Sequence, residues 1–172
     1  KITIVEASGL NGGGSTRNAG FACFGSPSEL LQDWKTLGPE KTVELVARRY
    51  KGLKQLREEF SDEAIGYSAI GSVEIFTAEQ LELESEVREF LPELNSALEV
   101  IFGEEPFILV ENGTGLKGCS CVIASPFEGV LDTSLLYRSA KKKALDAGVD
   151  ILCGVKVLEI VETEKGHKLL VE

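Results

Sequence analysis

The sequence lacks the residue patterns that hold metal ions and disulfides. It contains one histidine, His167, and four cysteines, none of which stand in a C-x-x-C pair. Zinc sites need closely spaced cysteine and histidine ligands, so no metal site is predicted. Cys119 and Cys121 are two residues apart, and on a strand their side chains would point to the same face. We therefore expect reduced thiols and no disulfide between these two residues.

Long apolar runs and clusters of basic residues are also scarce. No run approaches the roughly 20 apolar residues of a membrane-spanning helix. The first residues do not resemble a signal peptide, which makes a cytoplasmic protein the default expectation. The chain has 18 basic and 28 acidic residues, a net charge of -10, and its basic run is limited to the three lysines at positions 141–143. Because phosphate contacts need clustered lysine and arginine, no nucleic-acid partner is predicted.

The 172 residues suit one domain, or a fragment of a larger one, with a stable core. The acidic residues are spread through predicted helices. Five of them share one amphipathic helix, where the spacing favours solvent-facing side chains over a catalytic carboxylate pair: Glu82, Glu84, Glu86, Glu89 and Glu93. Arg48 and Arg49 lie among other charges on an earlier helix, so they are interpreted as surface residues and not as anchors for a substrate carboxylate.

The most informative pattern is at the start of the chain. The apolar run from Ile2 to Val5 predicts a strand buried on both faces, as in the parallel sheets of α/β proteins. Glu6 ends this strand, at the edge where such sheets bind ligands. A carboxylate there can accept hydrogen bonds from both hydroxyls of a ribose and would repel a 2′-phosphate. Glu6 therefore indicates a site for the adenosine half of FAD or NAD.

Local signals predict where the first helices begin and end. Ser26 as N-cap, Pro27 at the first helical position and Glu29 at the third predict a helix over about residues 27–37. A second helix is predicted over about residues 39–60, because apolar residues recur there every three or four positions. These two helices directly follow the glycine-rich start of the chain.

The middle of the chain alternates between strand and helix patterns. The period changes to two between Ile65 and Thr77, which predicts strands joined at Gly71. Thr77 begins a capping box for a third helix, which is expected to stop before Pro92 and to be followed by a further turn or helix. Short apolar runs broken by glycines predict strands and turns over residues 107–122.

The last part of the sequence returns to an α/β pattern. Asp132 or Thr133 caps a helix that ends at Gly148. Apolar runs then predict a strand at residues 149–152 and a final pair of strands joined by a turn at residues 164–166. The predicted fold class is α/β, or α+β overall: a strand and helices, an antiparallel insertion, and a return to α/β.

Two motif interpretations of the glycine-rich loop over residues 9–20 are incomplete. A phosphate-binding P-loop would need a lysine where the sequence has Ser15. In the dinucleotide fingerprint G-x-G-x-x-G, Arg17 stands where the third glycine is required. The fingerprint is also followed by a ribose-binding acid, whereas Glu6 precedes this loop. Taken alone, the stretch favours a loop that only turns the chain.

A third interpretation explains both departures. If the opening strand is the second strand of a dinucleotide fold, the fingerprint would lie upstream of Lys1. The loop would then form a second phosphate-contacting segment at a helix N-terminus, where free N–H groups favour anions. Its residues are Ser15, Thr16, Arg17 and Asn18.

Three segments in order carry a family resemblance. They are Glu6 followed by GSTRNAGF at positions 14–21, EGVLDTS at positions 128–134, and AGVDI at positions 147–151 with Gly154 and Val157 beyond. With this order and spacing the sequence resembles the FAD-dependent oxidoreductases of the D-amino-acid oxidase and glycine oxidase class. It is most similar to amine- and amino-acid-oxidising members with an S-x-R-N-x-G loop, and the resemblance spans essentially the whole chain.

The resemblance implies FAD as cofactor and a small-molecule amine or amino acid as substrate, whose C–N bond is oxidised by hydride transfer to flavin. It implies that Glu6 is the ribose-binding acid and that Val157 lies where backbone groups meet the adenine. The loop residues matching the segment that passes the pyrophosphate and approaches the isoalloxazine are Ser15, Thr16, Arg17, Asn18 and Gly20. It identifies no catalytic residue.

The resemblance also implies a partial FAD-binding dinucleotide fold with an inserted antiparallel-sheet portion of a substrate domain. Residues 1–60 would form the FAD-binding portion, residues 61–130 the substrate-domain portion, and residues 131–172 the return to FAD binding. The family's first strand with its fingerprint and its later segments have no counterpart here, so we expect a fragment that alone binds FAD weakly and is inactive. The alternative from another class is a noncatalytic α/β interaction or regulatory domain whose glycines serve turns only.

Overall fold

The structure is a computed structural model that describes residues 1–9, 13–110, 117–164 and 166–172. The turns predicted at glycines 113 and 115 lie outside the described residues, as does residue 165 of the last predicted turn. The described chain is a mixed fold of helices and strands, as the sequence predicts.

The helices follow their local capping signals. They are α1 (Pro27–Leu37), α2 (Pro39–Phe60), α3 (Asp62–Ile65), α4 (Leu81–Phe102) and α5 (Thr133–Asp146). The capping box before α1 is formed in full, because Ser26 Oγ accepts from Glu29 N–H and Glu29 Oε2 accepts from Ser26 N–H. Asp132 caps α5 by accepting from two backbone N–H groups. The predicted bounds of α1 and α2 are therefore confirmed.

The predicted break of the third helix at Pro92 is wrong. Thr77 and Gln80 form the expected capping box around a short 3-10 turn, and α4 then continues through Pro92 without a break. Proline cannot donate the hydrogen bond of the preceding turn and usually ends or kinks a helix. Here Leu91 and Leu94 on either side of it are buried, so packing of this helix on the core outweighs the lost bond.

The strands form four small sheets. They are β1 (Thr3–Glu6), β2 (Phe21–Ala22), β3 (Ser72–Thr77), β4 (Ile108–Val110), β5 (Cys119–Ser125), β6 (Gly129–Val130), β7 (Asp150–Cys153), β8 (Val157–Thr163) and β9 (Gly166–Val171). Among the described residues, β3, β5 and β4 pair antiparallel in that order, β1 pairs parallel with β7, and β2–β6 and β8–β9 are antiparallel pairs. The strand predicted before Gly71 is reduced to one bridge between Ser68 and Val130.

The prediction that the opening strand is buried on both faces is wrong. Ile2 is 66% exposed and Ile4 is 45% exposed. In the described chain β1 is hydrogen-bonded on one side, to β7. An apolar run buries its side chains only where other layers cover both faces of the sheet, and the described helices leave this strand exposed.

The main core lies between α1, α2, α4 and the three-stranded sheet of β3, β5 and β4. Its fully buried side chains include Phe24, Leu30, Val46, Phe76, Leu94 and Leu98. The ring of Phe24 lies 4.8 Å from that of Phe102 and 5.7 Å from that of Phe107. This core contains residues from both sides of position 60, where the sequence predicts a boundary between the FAD-binding portion and the substrate-domain portion. That boundary stays a prediction.

One acid of the predicted solvent-facing group is buried. Glu84 is 8% exposed, whereas Glu82, Glu86, Glu89 and Glu93 are exposed. Its carboxylate accepts hydrogen bonds from Ser120 Oγ at 2.5 Å and from Arg88 Nε at 2.8 Å. The Ser120 hydrogen bond, followed by Arg88, lowers the pKa of Glu84. Glu84 therefore links α4 to β5 as an ionised group.

All four cysteines are free thiols, and Cys119 and Cys121 do not form a disulfide. In the part of the chain that the structure describes, three or more potential metal ligands do not come together. Among those same residues, each helix is too short or too polar to span a membrane.

Candidate functional site

Glu6 occupies the carboxyl end of β1, the position that the sequence predicts. Its Cα is paired in register with that of Cys153, the last residue of β7. Its Oε1 accepts a hydrogen bond from Ser8 N–H at 2.8 Å, and its backbone oxygen accepts one from Val155 N–H at 3.0 Å. The carboxylate is therefore held at the edge of the parallel pair where the strands end, and it is half-buried.

Val157 lies close to the same edge along the chain. It is the first residue of β8, two residues after the Val155 N–H that donates to Glu6. Val157 is paired with Val171 in the β8–β9 hairpin. The structure thus connects Glu6 and Val157 through the short segment that follows β7.

The helix predicted to begin at Ser15 and Thr16 is wrong. Gly14, Ser15 and Thr16 form a single 3-10 turn, and the chain then leaves the helical conformation at Arg17. A three-residue turn has too few aligned peptide groups for a helix dipole. An anion at this loop would therefore depend on local N–H groups and on the exposed guanidinium of Arg17.

Asn18 and Gly20 shape the end of the loop. Asn18 Nδ2 donates to Gly14 O at 2.9 Å, and Asn18 Oδ1 accepts from Gly20 N–H at 3.0 Å. Gly20 has a φ of 71°, and a Cβ on it would overlap the carbonyl oxygen of Leu131. The Gly20 oxygen in turn accepts from Leu131 N–H at 2.8 Å. A glycine is required here by both conformation and space.

Two contacts therefore place the loop against the start of α5. Thr16 O accepts a hydrogen bond from Thr133 Oγ1 at 3.4 Å, and Gly20 is bonded to Leu131. The sequence predictions treat these segments as separate matches, and the fold brings them together. Glu6 and Val157 form one group of predicted site residues, and the loop from Ser15 to Gly20 forms the other.

Beyond the loop lies a cleft of about 620 Å³. One wall consists of β2 and the residues that lead into α1, including Phe21 and Cys23. The opposite wall is the edge strand β3 with the residues just before it, including Ile70 and Val73. The cleft is thus mainly apolar, with three carboxylates at its margin: Glu29, Glu74 and Glu128.

Glu128 is a residue of this cleft that sequence reasoning missed. It is 3% exposed, and its Oε1 accepts from Phe24 N–H at 2.7 Å while its Oε2 accepts from Ser72 Oγ. Burial raises the pKa of Glu128, and the hydrogen bonds from Ser72 and Phe24 oppose that rise. The sequence feature that could have identified Glu128 is an isolated acidic residue between Phe127 and the apolar residues that follow Gly129.

Cys23 lines the same cleft. Partial burial raises the pKa of the Cys23 thiol, and the nearby Glu128 and Glu29 carboxylates raise it further, while Arg49 lowers it. The side chain of Arg49 reaches this region from α2, because its Nη1 donates to Phe24 O at 3.1 Å. Arg48 and Arg49 are both exposed, as the sequence predicts, and Arg49 in addition holds the backbone beside the cleft through this hydrogen bond.

Comparison with known proteins gives the fold a context. The chain is similar to the crystal structure of glycine oxidase from Geobacillus kaustophilus, with 19% identity and a TM-score of 0.65, covering 98% of this chain and 44% of that one. Glycine oxidase from Bacillus cereus gives 16% identity and a TM-score of 0.65, covering 99% and 46%. The L-amino acid deaminase from Proteus myxofaciens gives 18% identity and a TM-score of 0.58, covering 99% and 36%.

The chain spans less than half the length of these three solved proteins. No curated protein matches it in sequence. The model of the DAO family, described as FAD dependent oxidoreductase, matches residues 1–172. The family resemblance found in the sequence is thereby confirmed, and the chain belongs to this family of FAD-dependent oxidoreductases.

Proposed function

We propose that the chain belongs to an enzyme that uses FAD to oxidise the C–N bond of a small amine or amino acid. The observation that carries the proposal is Glu6, a carboxylate held at the carboxyl end of a parallel strand beside an open glycine turn. The solved relatives that resemble the chain are glycine oxidases and an L-amino acid deaminase, which favours this substrate class.

The residues at this edge fit an adenosine and a pyrophosphate. Glu6 Oε1 accepts from Ser8 N–H, and the half-buried carboxylate lies at the strand end, where it could accept from a ribose hydroxyl. Gly13 and Gly14 have no atom within 4 Å of the place where a Cβ would lie. Such open backbone lets a pyrophosphate approach closely, as glycines do in other nucleotide-binding loops.

The loop residues have different proposed roles. Arg17 is exposed and would neutralise phosphate charge, and the hydroxyls of Ser15 and Thr16 would donate hydrogen bonds to phosphate oxygens. The side chain of Asn18 is engaged within the loop at both its nitrogen and its oxygen. Its proposed role is therefore to hold the shape of the loop so that Gly20 can meet Leu131.

Val157 would contribute through its backbone. It begins the strand that follows the Glu6-bonded segment, so its peptide groups lie near the adenosine end of the proposed site. Backbone N–H and C=O groups can pair with the edge of an adenine without any requirement for a particular side chain. A substitution that keeps the strand should therefore leave this contact in place.

The cleft beside the loop would receive the substrate. Bound FAD would supply a ring that accepts a hydride from the carbon bearing the amine. The apolar side chains of Phe21, Ile70 and Val73 would exclude water from that carbon, and they line the cleft from both walls. The carboxylates at its margin favour a substrate with a cationic amine.

The test uses the full-length polypeptide that carries this chain. The purified protein should show the absorption spectrum of a flavin, and removing and restoring FAD should abolish and restore oxidation of an amine or amino acid. A colourless protein that ignores FAD would favour the noncatalytic α/β interaction or regulatory domain instead.

Glu6→Ala tests the residue that carries the proposal. Losing hydrogen bonds to a charged group should weaken FAD binding by about 10- to 100-fold, which corresponds to roughly 1–3 kcal/mol. Titration of the apoprotein with FAD measures this change. Glu89→Ala on the exposed face of α4 is the matched control and should leave the affinity unchanged. Equal FAD affinity of Glu6→Ala and Glu89→Ala would remove Glu6 from the site.

A further inference from the structure

One buried carboxylate connects both walls of the cleft. Glu128 Oε1 accepts from Phe24 N–H at 2.7 Å, two residues after β2. Its Oε2 accepts from Ser72 Oγ at the start of β3. Glu128 therefore joins Phe24, just after β2, to the start of β3, and Glu74 on β3 makes a second link by accepting from Ser28 N–H at the start of α1.

The backbone of Glu128 is fixed as well. Its carbonyl oxygen accepts from Gly71 N–H at 3.0 Å, and two residues later Val130 exchanges backbone hydrogen bonds with Ser68. A Cβ on Gly129 would overlap the carbonyl oxygen of Ser68, so the two segments cross at close range. Because its backbone is held by these hydrogen bonds, the side chain of Glu128 ties residue 24 to the start of β3 at a defined position.

We propose that Glu128 is a positioning residue that sets the separation of the two cleft walls, and with it the width available to a substrate. The role of the cleft in substrate binding rests on the proposed function above. The positioning itself concerns contacts within this chain and does not depend on flavin.

The physical basis is the cost of an unpaired buried group. A buried carboxylate is tolerated when donors surround it, and Glu128 has donors on both sides. Removing it leaves Phe24 N–H and Ser72 Oγ without this acceptor, so the segment after β2 should move to find water. Core packing of Phe24 would still hold the fold together, because the ring is fully buried.

Cys23 provides a direct readout of this movement. Cys23 is an exposed residue that lines the cleft and precedes Phe24, and its thiol is partly shielded there, whereas Cys153 is exposed on β7 outside the cleft. In the full-length protein, the rate of alkylation by iodoacetamide at each cysteine is measured by mass spectrometry between about pH 7 and 11, a range extended upward because the pKa of the Cys23 thiol is raised above that of an ordinary thiol. The plateau rate at high pH reports access to Cys23, and the midpoint reports its pKa.

The charged groups near Cys23 are Glu128, Glu29 and Arg49. Glu128→Ala removes both the charge and the hydrogen bonds, and it should raise the plateau rate at Cys23 severalfold relative to Cys153, because the segment that partly shields the thiol is no longer held. Glu128→Gln keeps an acceptor for Phe24 N–H, so its plateau should stay within about twofold of the wild type. Its midpoint should move to lower pH, because a negative charge beside the thiol is gone.

Two further variants separate positioning from general destabilisation. Ser72→Ala keeps the charge and removes one donor, so the plateau should lie between those of the wild type and Glu128→Ala. Glu89→Gln is the control, because Glu89 is exposed on α4 and is not among the residues that line the cleft. Its plateau should equal that of the wild type. Cys121 is buried and should stay unreactive in every folded variant.

The proposal is overturned if Glu128→Ala leaves the Cys23 plateau unchanged, or if Glu128→Gln raises it as much as alanine does. If Cys121 becomes reactive in Glu128→Ala, that variant has unfolded, and the comparison of Ser72→Ala with Glu89→Gln then decides the matter. An unchanged plateau in Ser72→Ala would contradict the proposal. The alkylation rates can be measured whether or not the protein binds FAD. Failure of the FAD proposal and failure of the positioning proposal can therefore be distinguished.

Discussion

Apolar side chains are buried in one region of the molecule and exposed in another. Leu30 and Leu94, in the core between the helices and the three-stranded sheet, are completely buried. Leu158 and Ile160 on the β8–β9 hairpin are 58% and 64% exposed, and Ile4 on β1 is 45% exposed. Both regions have apolar strands or helices, and only the first has a second layer packed on them.

This difference in burial shows that the interactions that form a strand are distinct from those that stabilise the folded chain. Backbone pairing is complete enough in β1–β7 and β8–β9 for regular strands. Most of the free energy of folding, however, comes from apolar surface removed from water. The core should therefore dominate the stability of the chain, while the exposed strands, which include Glu6, contribute to the site more than to stability.

Leu94→Ala should have the largest effect on this contrast. The side chain is fully buried on α4, and truncating a buried leucine costs about 2–5 kcal/mol of unfolding free energy. Urea unfolding followed by circular dichroism measures the change. A loss below about 1 kcal/mol would place Leu94 outside a tightly packed core.

The matched control for Leu94→Ala is Ile160→Ala. It removes a side chain of similar size from the exposed hairpin, where substitutions usually change stability by less than about 0.5 kcal/mol. An equal loss of unfolding free energy in Leu94→Ala and Ile160→Ala would show that the core and the hairpin are equally packed in solution, and would contradict the difference in burial.

Gly20→Ala should have the next largest effect, at the point where the loop meets the start of α5. The positive φ and the overlap with the Leu131 oxygen together should cost about 2 kcal/mol or more. Gly148→Ala is the control, because Gly148 has a φ of 79° but open space around the Cβ position. It should cost only about 1 kcal/mol, so similar losses in the two variants would show that the Leu131 contact does not matter.

The smallest expected effect is the pH dependence of the unfolding free energy at two carboxylates, Glu128 and Asp62. Burial raises the pKa of Glu128, so its contribution to stability is full at low pH and is lost as pH rises through the folded-state pKa. The unfolding free energy of Glu128→Gln, relative to the wild type, should therefore increase from acidic to neutral pH.

Asp62 should show the opposite slope. The hydrogen bond from Arg57 lowers the pKa of this exposed carboxyl, so its contribution is present at neutral pH and is lost as pH falls through the lowered value. Asp62→Asn should thus be slightly less stable than the wild type at neutral pH and equal to it in acid. Unfolding measured across the acidic range compares the two variants, and parallel curves would contradict the assigned environments.

Much of the fold could be predicted because its signals are local. Ser26, Pro27 and Glu29 define the start of α1 within four residues, and the end of β1 at Glu6 is visible in the sequence alone. The DAO family and its FAD dependence were also predicted, because motifs in order carry that information even when each is weak.

What could not be predicted depends on contacts between distant segments. The burial of Glu84 and Glu128 depends on Ser120, Ser72 and Phe24, which lie far away in the chain. The continuity of α4 through Pro92 depends on packing that no local rule contains. The exposure of β1 has the same origin, because an apolar run does not reveal whether a second layer covers it.

The parallel pairing of β1 with β7 also bears on the order in which the chain folds. Thr3 and Asp150 are partners in that pair, although almost the whole described chain lies between them. Closing so long a loop is slow and has a high entropy cost unless the intervening segment is already compact. During synthesis β1 emerges long before β7 and cannot form this pair until α5 and β7 have been made. We therefore expect the edge that carries Glu6 to be assembled after the core.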